Sequence, residues 1–170
     1  MNEVLKAITE RRSIRQYRPD EVPPELLETV LAAGRAAPSG MNAQGWHFLV
    51  FEGAALAALR DVAGGELGYG APALVVVSYG ADPRAFNPGS DCANAIMCMM
   101  LAAHSLGLGS CWINNLTRRR EIPEIDAFLR GVGLPLGQTV HGSLALGYPD
   151  EAPAAKPRAE NTVTYAVLPQ

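Results

Sequence analysis

The fold is decided by the stretch Asp91-Cys-Ala-Asn-Ala-Ile-Met-Cys-Met-Met-Leu-Ala-Ala-His-Ser-Leu106, which is apolar on nearly every side. A helix of this kind must be covered on most of its faces. We therefore expect residues 91–106 to form a long helix at the centre of the fold and of a subunit interface. Gly107 and Gly109 follow it and predict its end.

Apolar patterns on both sides of this helix predict the remaining elements. Further helices are predicted over 3–10, from Pro23-Pro24 to about Ala37-Pro38, over 54–62 and over 123–132. Strands are predicted over 46–51, 73–79, 110–113 and 140–148, and a weak alternation over 162–168 predicts an edge strand that pairs with another subunit. Because helices and strands interleave irregularly, we expect an α+β fold with a mixed central sheet flanked by helices. Residues 1–170 are predicted to form a single domain.

Composition narrows the class of protein. The chain is 48% hydrophobic and 18% charged, against about 25% charged residues in ordinary domains. A small chain with so much apolar surface favours a homodimer with a large apolar interface, the alternative being a well-packed monomer. The net charge of −3 provides no global positive field for nucleic acid.

Two further features bear on location. The most apolar run, 92–103, is shorter than the roughly 20 residues that span a bilayer. Charged residues interrupt the first predicted helix, so the N-terminus does not resemble a signal peptide. We expect a cytoplasmic protein with neither membrane nor nucleic acid as a partner.

The reactive side chains form no metal or disulfide pattern. Three cysteines occur without CxxC spacing, and the histidines are scattered: Cys92, Cys98, Cys111, His47, His104 and His141. Cys92 and Cys98 are predicted to be small core residues. Asp91 is predicted to cap the long helix.

Positive charge is concentrated in the segment Arg11-Arg12-Ser13-Ile14-Arg15, where the chain leaves its first helix. Arginine presents a planar fork of donors that matches a phosphate group, and Ser13 adds a hydroxyl donor. The alternative is a solvated run of charge that interacts favourably with a helix C-terminus.

A second unusual segment is the loop Pro38-Ser39-Gly40-Met41-Asn42-Ala43-Gln44-Gly45-Trp46. Its proline, serine and glycine suit a rigid backbone that a ligand can approach closely. We expect Asn42 and Gln44 to brace the loop and Trp46 to anchor the strand that follows. The alternative is an ordinary helix-to-strand connection. Together, the basic segment and this loop suit a ligand that is anionic at one end and flat at the other, which describes a flavin nucleotide.

A third segment, Gly107-Leu-Gly-Ser-Cys-Trp-Ile-Asn-Asn115, places a strand after a glycine turn. It does not match the dinucleotide fingerprint, which needs glycine at position 112 and a strand before the glycines. The chain also lacks a Walker motif, a GxSxG elbow and a paired-carboxylate signature.

These three segments, with Leu146-Gly147-Tyr148-Pro149 and Pro157-Arg158, resemble the FMN-dependent nitroreductase family, in the same order over nearly the whole chain. The resemblance implies a nitroreductase-like fold and an intertwined homodimer in which a C-terminal segment is exchanged and FMN lies in the interface. It also implies an oxidoreductase that transfers a hydride from NADH or NADPH through flavin N5, in ping-pong order, to a small electron-poor acceptor such as a nitroaromatic or a quinone. No catalytic side chain is required.

By position, the resemblance assigns cofactor contacts to named residues. Arg11 and Arg158, helped by Lys156, would hold the phosphate, and Arg12 and Ser13 the phosphate–ribityl end. Arg15 would lie near the flavin N1 and C2 carbonyl. The other subunit would supply Pro38, Ser39 and Gly40, with Asn42 as a weak contact. Backbone N–H groups near Asn114 and Asn115 would point at N5 and O4.

The chain also departs from the family pattern. Gly45 stands where the family usually has proline, which predicts a looser loop, and Gly40 and Asn114-Asn115 replace commoner residues. Only residues 80–90 fill the interval where larger members insert helices, which predicts an open pocket. Two alternatives remain: a flavin-binding storage or sensor protein without efficient turnover, and a module that binds a phosphate ligand without flavin.

Overall fold

A computed structural model describes residues 2–81 and 86–166. In chain order the elements are α1 (Glu3–Glu10), α2 (Pro24–Arg35), a short 3-10 helix (Gly40–Asn42), β1 (Trp46–Glu52), α3 (Gly53–Val62), β2 (Ala73–Tyr79), α4 (Pro88–Ser105), β3 (Gly109–Ile113), α5 (Asn115–Arg119), α6 (Pro123–Gly131) and β4 (Thr139–Gly147). Within these residues, no helix is both long and apolar enough to cross a membrane.

The four strands form one sheet in the order β1-β2-β4-β3, and every neighbouring pair is antiparallel. The predicted mixed sheet is therefore wrong for the described residues. The irregular interleaving of helices and strands does not fix the direction of each strand, and here each neighbour returns in the opposite direction. An isolated bridge between Ser13 and Ser110 is parallel. Of the predicted last strand, residues 162–166 are irregular, and 167–168 lie outside the described residues.

Helices cover both faces of the sheet because the strands are apolar on both sides. In β2 every residue is buried, and successive side chains point to opposite faces. Leu74 and Val76 pack with α3, α5 and α6, whereas Val75 and Val77 pack with α2 and α4. The predicted α+β architecture is confirmed, with the sheet as its middle layer.

The long helix α4 packs in the core that contains Val75 and Val77, as predicted for its place in the fold. Its side chains Ile96, Met99 and Ala103 are fully buried, whereas Met97 remains 41% exposed. The helix begins at Pro88, three residues earlier than predicted, because the Asn87 side chain accepts a hydrogen bond from the backbone N–H of Ser90. The prediction that Asp91 caps the helix is therefore wrong.

The remaining helices and strands lie within a few residues of their predicted bounds. Two short elements were missed, α5 and the 3-10 helix, because runs of five and three residues carry no readable apolar period. Cys92 is buried as predicted, whereas Cys98 is only half-buried.

Gly147 allows a close contact at the end of β4. A methyl group there would lie 2.5 Å from Cδ of Pro72 and 3.1 Å from Cδ1 of Tyr17. We expect Gly147→Ala to lower the free energy of unfolding by about 1–3 kcal/mol, because a rigid proline ring cannot move aside easily. Urea denaturation measures this change.

Gly131→Ala is the matched control, since no atom lies within 4 Å of the added methyl group. It should leave the free energy of unfolding unchanged or slightly raise it. Equal stability of the two variants would contradict the close packing at Gly147.

Candidate functional site

A cavity of about 200 Å³ lies beside the C-terminal end of α1 and is lined mainly by basic side chains. It brings together two segments that are far apart in the sequence. The lining residues are Arg11, Arg12, Ser13, Arg15, Pro153, Ala154, Lys156 and Arg158. The structure thus gathers six of the predicted site residues into one place, which we call the basic cavity.

The chain reaches this arrangement by laying the segment after α1 along the sheet. The backbone N–H of Ile14 donates to the carbonyl of Ser110 in β3 at 3.0 Å. Further along, the N–H of Arg18 donates to the carbonyl of Tyr148, and the N–H of Asp150 to that of Gln16. These bonds carry residues 149–158 past the basic segment.

Arg11 is the most unusual group in the basic cavity. Burial, followed by the nearby charges of Arg12 and Arg158, lowers the pKa of its guanidinium. Its Nη1 is buried and has no hydrogen-bond partner within the described part of the chain. A buried donor without an acceptor is unfavourable, and like charges at close range repel. An anion in the basic cavity would relieve both.

Two other arginines of the basic cavity, Arg12 and Arg15, interact with other groups of the protein. Nη1 of Arg12 donates to the carbonyls of Thr9 and Arg11, each at 2.8 Å, at the end of α1. The guanidinium of Arg15 lies 5.7 Å from the centre of the Tyr69 ring. A hydrogen bond with Tyr69 raises the pKa of Arg15. Arg15 therefore lines the basic cavity and also contacts Tyr69 of the 64–70 loop.

Glu151 holds the backbone at Arg15 and Gln16. Its Oε1 accepts hydrogen bonds from the N–H groups of Arg15 and Gln16.

A second cavity of about 360 Å³ shares Arg11 and Arg12 with the basic cavity and extends past the 107–110 turn to His104 of α4. No sequence motif marked Glu151 or Tyr69, because their partners are distant along the chain.

The 38–45 loop has an unusual backbone. Met41, Asn42 and Gln44 all adopt the left-handed conformation, with φ near +50°, which non-glycine residues rarely do. The amide of Gln44 donates to Oδ1 of Asn42 at 2.9 Å, and its backbone N–H donates to Oγ of Ser39 at 3.0 Å. Asn42 and Gln44 therefore brace the loop as predicted.

The expectation of a looser loop at Gly45 is wrong. A methyl group on Gly45 would lie 2.4 Å from Cε1 of Tyr79, so the backbone packs directly against that ring. The carbonyl of Gly45 also accepts from the N–H of Gly80 at 3.0 Å and from the Gln138 amide at 3.3 Å. Glycine here permits close packing of the backbone on the core.

The loop and the basic cavity lie at opposite ends of α4. Near its N-terminus, Asp91 accepts from the N–H of Gly40, and the Asn94 amide donates to the carbonyl of Pro38 at 3.3 Å. Near its C-terminus, His104 lines the larger cavity beside Arg11. The helix rise between residues 91 and 104 is about 20 Å. One protomer therefore does not bring Pro38, Ser39, Gly40 and Asn42 to the arginines.

The two asparagines lie after β3. Oδ1 of Asn114 accepts from the indole N–H of Trp112 at 3.1 Å. Asn115 begins α5 and lines a small cavity of about 140 Å³ together with Tyr69. Because Tyr69 also contacts Arg15, Asn115 lies on the same side of the protein as the basic cavity.

No cluster of potential metal ligands occurs among residues 2–81 and 86–166. Burial raises the pKa of the Cys111 thiol and raises that of Cys92 to about 12. These two thiols are therefore poor nucleophiles near neutral pH.

Comparisons with known proteins agree with this geometry. Residues 8–67 and 60–148 match the sequence model of the Nitroreductase family. A protein of Methanothermobacter thermautotrophicus whose name includes NAD(P)H nitroreductase is 33% identical over 159 residues, which cover 91% of this chain and 81% of that protein.

Two solved structures are similar over almost their whole length. A nitroreductase with bound FMN from Bacteroides fragilis is 37% identical, with a TM-score of 0.84 and coverage of 99% of this chain and 100% of its own. A nitroreductase with bound FMN from Desulfitobacterium hafniense is 29% identical, with a TM-score of 0.83 and coverage of 98% and 99%.

The basic cavity predicts binding of simple anions. Inorganic phosphate at about ten times its dissociation constant should raise the Tm by about 2–5 °C, because it binds the folded state. Arg11→Ala should remove most of this shift. Differential scanning fluorimetry measures both.

Arg35→Ala is the control, because Arg35 is exposed, pairs with Glu28 and lies outside the cavity. This variant should keep the full phosphate shift. An equal shift in wild type and Arg11→Ala would show that phosphate acts through the solvent rather than at this site.

Proposed function

This chain belongs to the nitroreductase family, and on that premise we propose that it is an FMN-dependent oxidoreductase that uses NADH or NADPH. The observation that carries the proposal is the basic cavity, where a buried nitrogen of Arg11 lacks an acceptor among the described residues. We propose that residues 1–170 form one FMN-binding domain.

The donors of the basic cavity fit a terminal phosphate. Arg11 and Arg158 supply charge-assisted donors, and Lys156 adds a further cation. Ser13 supplies a hydroxyl group beside them. Nη1 of Arg12 is already hydrogen-bonded to backbone carbonyls. The remaining donors of its guanidinium would therefore bind the phosphate–ribityl end of the cofactor. A bound phosphate would then offset the repulsion between Arg11 and the neighbouring cations.

Arg15 is suited to the ring end of the cofactor. It lines the basic cavity and lies over Tyr69, which in turn lines a small cavity with Asn115. A fixed cation near N1 and the C2 carbonyl favours the negative charge of reduced flavin. Asn114 immediately precedes α5 and Asn115 is its first residue. The first N–H groups of a helix have no intrahelical acceptors, which would leave these N–H groups available to the N5 and O4 edge.

A second copy of the chain is needed to complete this site. The 38–45 loop is separated from the basic cavity by about 20 Å of α4. We propose a homodimer in which the loop of one protomer packs on the FMN held by the arginines of the other. Exposed apolar side chains support it: Val4, Leu5 and Ile8 on α1 are at least half exposed, and Met97 on α4 is 41% exposed.

The C-terminal segment supports the same assembly. Val163 and Tyr165 are 69% and 88% exposed on an irregular stretch of chain. Exposed apolar residues of this kind favour burial against another surface. Exchange of this segment between subunits would bury them.

The chemistry that FMN supplies when bound is hydride transfer at N5, from NADH or NADPH to a small electron-poor acceptor such as a nitroaromatic or a quinone, with donor and acceptor bound in turn. The protein's own residues bind and orient the reactants. Among the described residues, no acid–base side chain is required for this role.

The activity is tested by an absorption spectrum of the purified protein reconstituted with FMN. We expect bound flavin whose visible bands bleach on anaerobic addition of NADH or NADPH. Bound flavin that neither nucleotide bleaches would contradict the oxidoreductase and favour storage or sensing. A protein that binds no FMN would contradict the cofactor assignment itself.

The phosphate assignment is tested by Arg11→Ala and Arg158→Ala. Each variant should weaken FMN binding by about 2–3 kcal/mol, because a charge-assisted bond is lost. Fluorescence titration measures the dissociation constant. Riboflavin, which lacks the phosphate, should bind wild type and variants equally, and Arg35→Ala should not alter FMN affinity. Equal weakening of both ligands would place the arginines elsewhere than at the phosphate.

A further inference from the structure

At the N-terminal end of α4, a buried acidic side chain joins the 38–45 loop to the core. Asp91 is 5% exposed. Its Oδ1 accepts from the backbone N–H of Gly40 at 3.0 Å, and its Oδ2 accepts from the hydroxyl of Tyr79 at 3.0 Å. One donor belongs to the loop and the other to β2, so the carboxyl group bridges them.

Tyr79 holds the other end of the same loop. Its ring packs against the backbone of Gly45 so closely that a methyl group would lie 2.4 Å away. The N–H of Gly80, the next residue, donates to the carbonyl of Gly45. The loop is therefore fixed at Gly40 through Asp91 and at Gly45 through Tyr79.

Between these two points the backbone is in an unfavourable conformation. Met41, Asn42 and Gln44 are left-handed non-glycine residues, and such residues persist only where their surroundings over-determine them. Met41 is also 80% exposed, so its own side chain contributes little burial to the loop. The contacts at either end therefore stabilise this conformation together with the hydrogen bonds of Gln44 to Ser39 and Asn42.

We infer that Asp91 is a positioning residue for the proposed cofactor site: by holding Gly40 and Tyr79 together, it presents Pro38, Ser39 and Gly40 in a fixed geometry to the flavin ring. This inference rests on the proposed function. Asp91 touches the loop rather than the cofactor. The residue that holds the loop is thus on the helix whose other end borders the arginines.

The chemistry of the two donors explains why an acidic residue suits this position. A carboxyl group accepts two hydrogen bonds at once, and negative charge is favoured in the first turn of a helix. Asparagine preserves the geometry, because its carbonyl accepts from Gly40 and its amide donates to the Tyr79 hydroxyl, which is also an acceptor. Alanine preserves neither bond.

The test compares Asp91→Ala with the conservative Asp91→Asn. Asp61→Ala, an exposed aspartate on α3, is the control. The first readout is amide hydrogen exchange of peptides covering residues 38–45 in FMN-free protein. We expect Asp91→Ala to exchange about tenfold faster there, and the other two variants to match wild type.

The second readout is the visible circular dichroism of bound FMN, measured at saturation so that lower affinity does not contribute. This signal reports the surroundings of the ring. We expect it to change in Asp91→Ala and to be restored in Asp91→Asn. The FMN dissociation constant of Asp91→Ala should rise about tenfold.

Unchanged exchange at 38–45 in folded Asp91→Ala would overturn the positioning role. Faster exchange with an unaltered flavin signal would show that the loop is held but lies away from the ring, which overturns the inference equally. If Asp91→Ala does not fold, the double variant Asp91→Asn/Tyr79→Phe takes its place. It removes the hydrogen bond between residue 91 and residue 79 while an aromatic ring stays on Gly45. Hydrogen exchange at 38–45 and the flavin signal are then measured as before, with the same expected and overturning results.

Failure of the proposed function is distinguishable from failure of this inference. Wild-type protein that binds no FMN contradicts the cofactor, and with it the presentation of the loop to a ring. The exchange measurement needs no flavin and reports separately whether Asp91 holds the loop.

Discussion

Helix α4 sets the distance between the two halves of the candidate site. Its first turn holds the 38–45 loop through Asp91, and its last turn borders the cavities beside Arg11. The helix is rigid because it packs on β2 and β4 with Ile96 and Met99 fully buried. Its rise keeps loop and arginines about 20 Å apart within one protomer. A ligand that needs both must lie between two chains.

Electrostatics explains why the basic cavity favours an anionic ligand. The fold places several cations around one cavity and partly buries Arg11 among them. Such an arrangement lowers stability in the absence of an anion. The charge of Glu151, whose carboxylate accepts hydrogen bonds from backbone N–H groups, adds to the side-chain hydrogen bond that raises the pKa of Arg15. Burial and the like charges of Arg12 and Arg158 still lower the pKa of Arg11. Stability given up at a binding site is regained when the ligand binds.

Much of this architecture could be predicted from local sequence. The apolar period predicts seven of the helices and strands within one residue at both ends, and the composition of the basic segment and of the 38–46 loop marks both as unusual. The amide side chains of Asn42 and Gln44 predicted that the loop is braced, and the hydrogen bond between them confirms it.

Contacts between distant segments could not be predicted. The direction of the strands depends on how each crossover returns, and within residues 2–81 and 86–166 the sheet is antiparallel rather than mixed. Asp91 looked like a helix cap because its partners, Gly40 and Tyr79, carry no motif. Gly45 predicted a looser loop, yet its lack of a side chain allows the backbone to pack closely on Tyr79. These roles exist only once the chain has folded.

A crystal structure of the protein with FMN tests the central claim most directly. The account predicts a dimer with the phosphate against Arg11, Ser13 and Arg158 of one protomer and the ring against the 38–45 loop of the other. FMN bound wholly within one protomer, or with its phosphate away from Arg11, would contradict it.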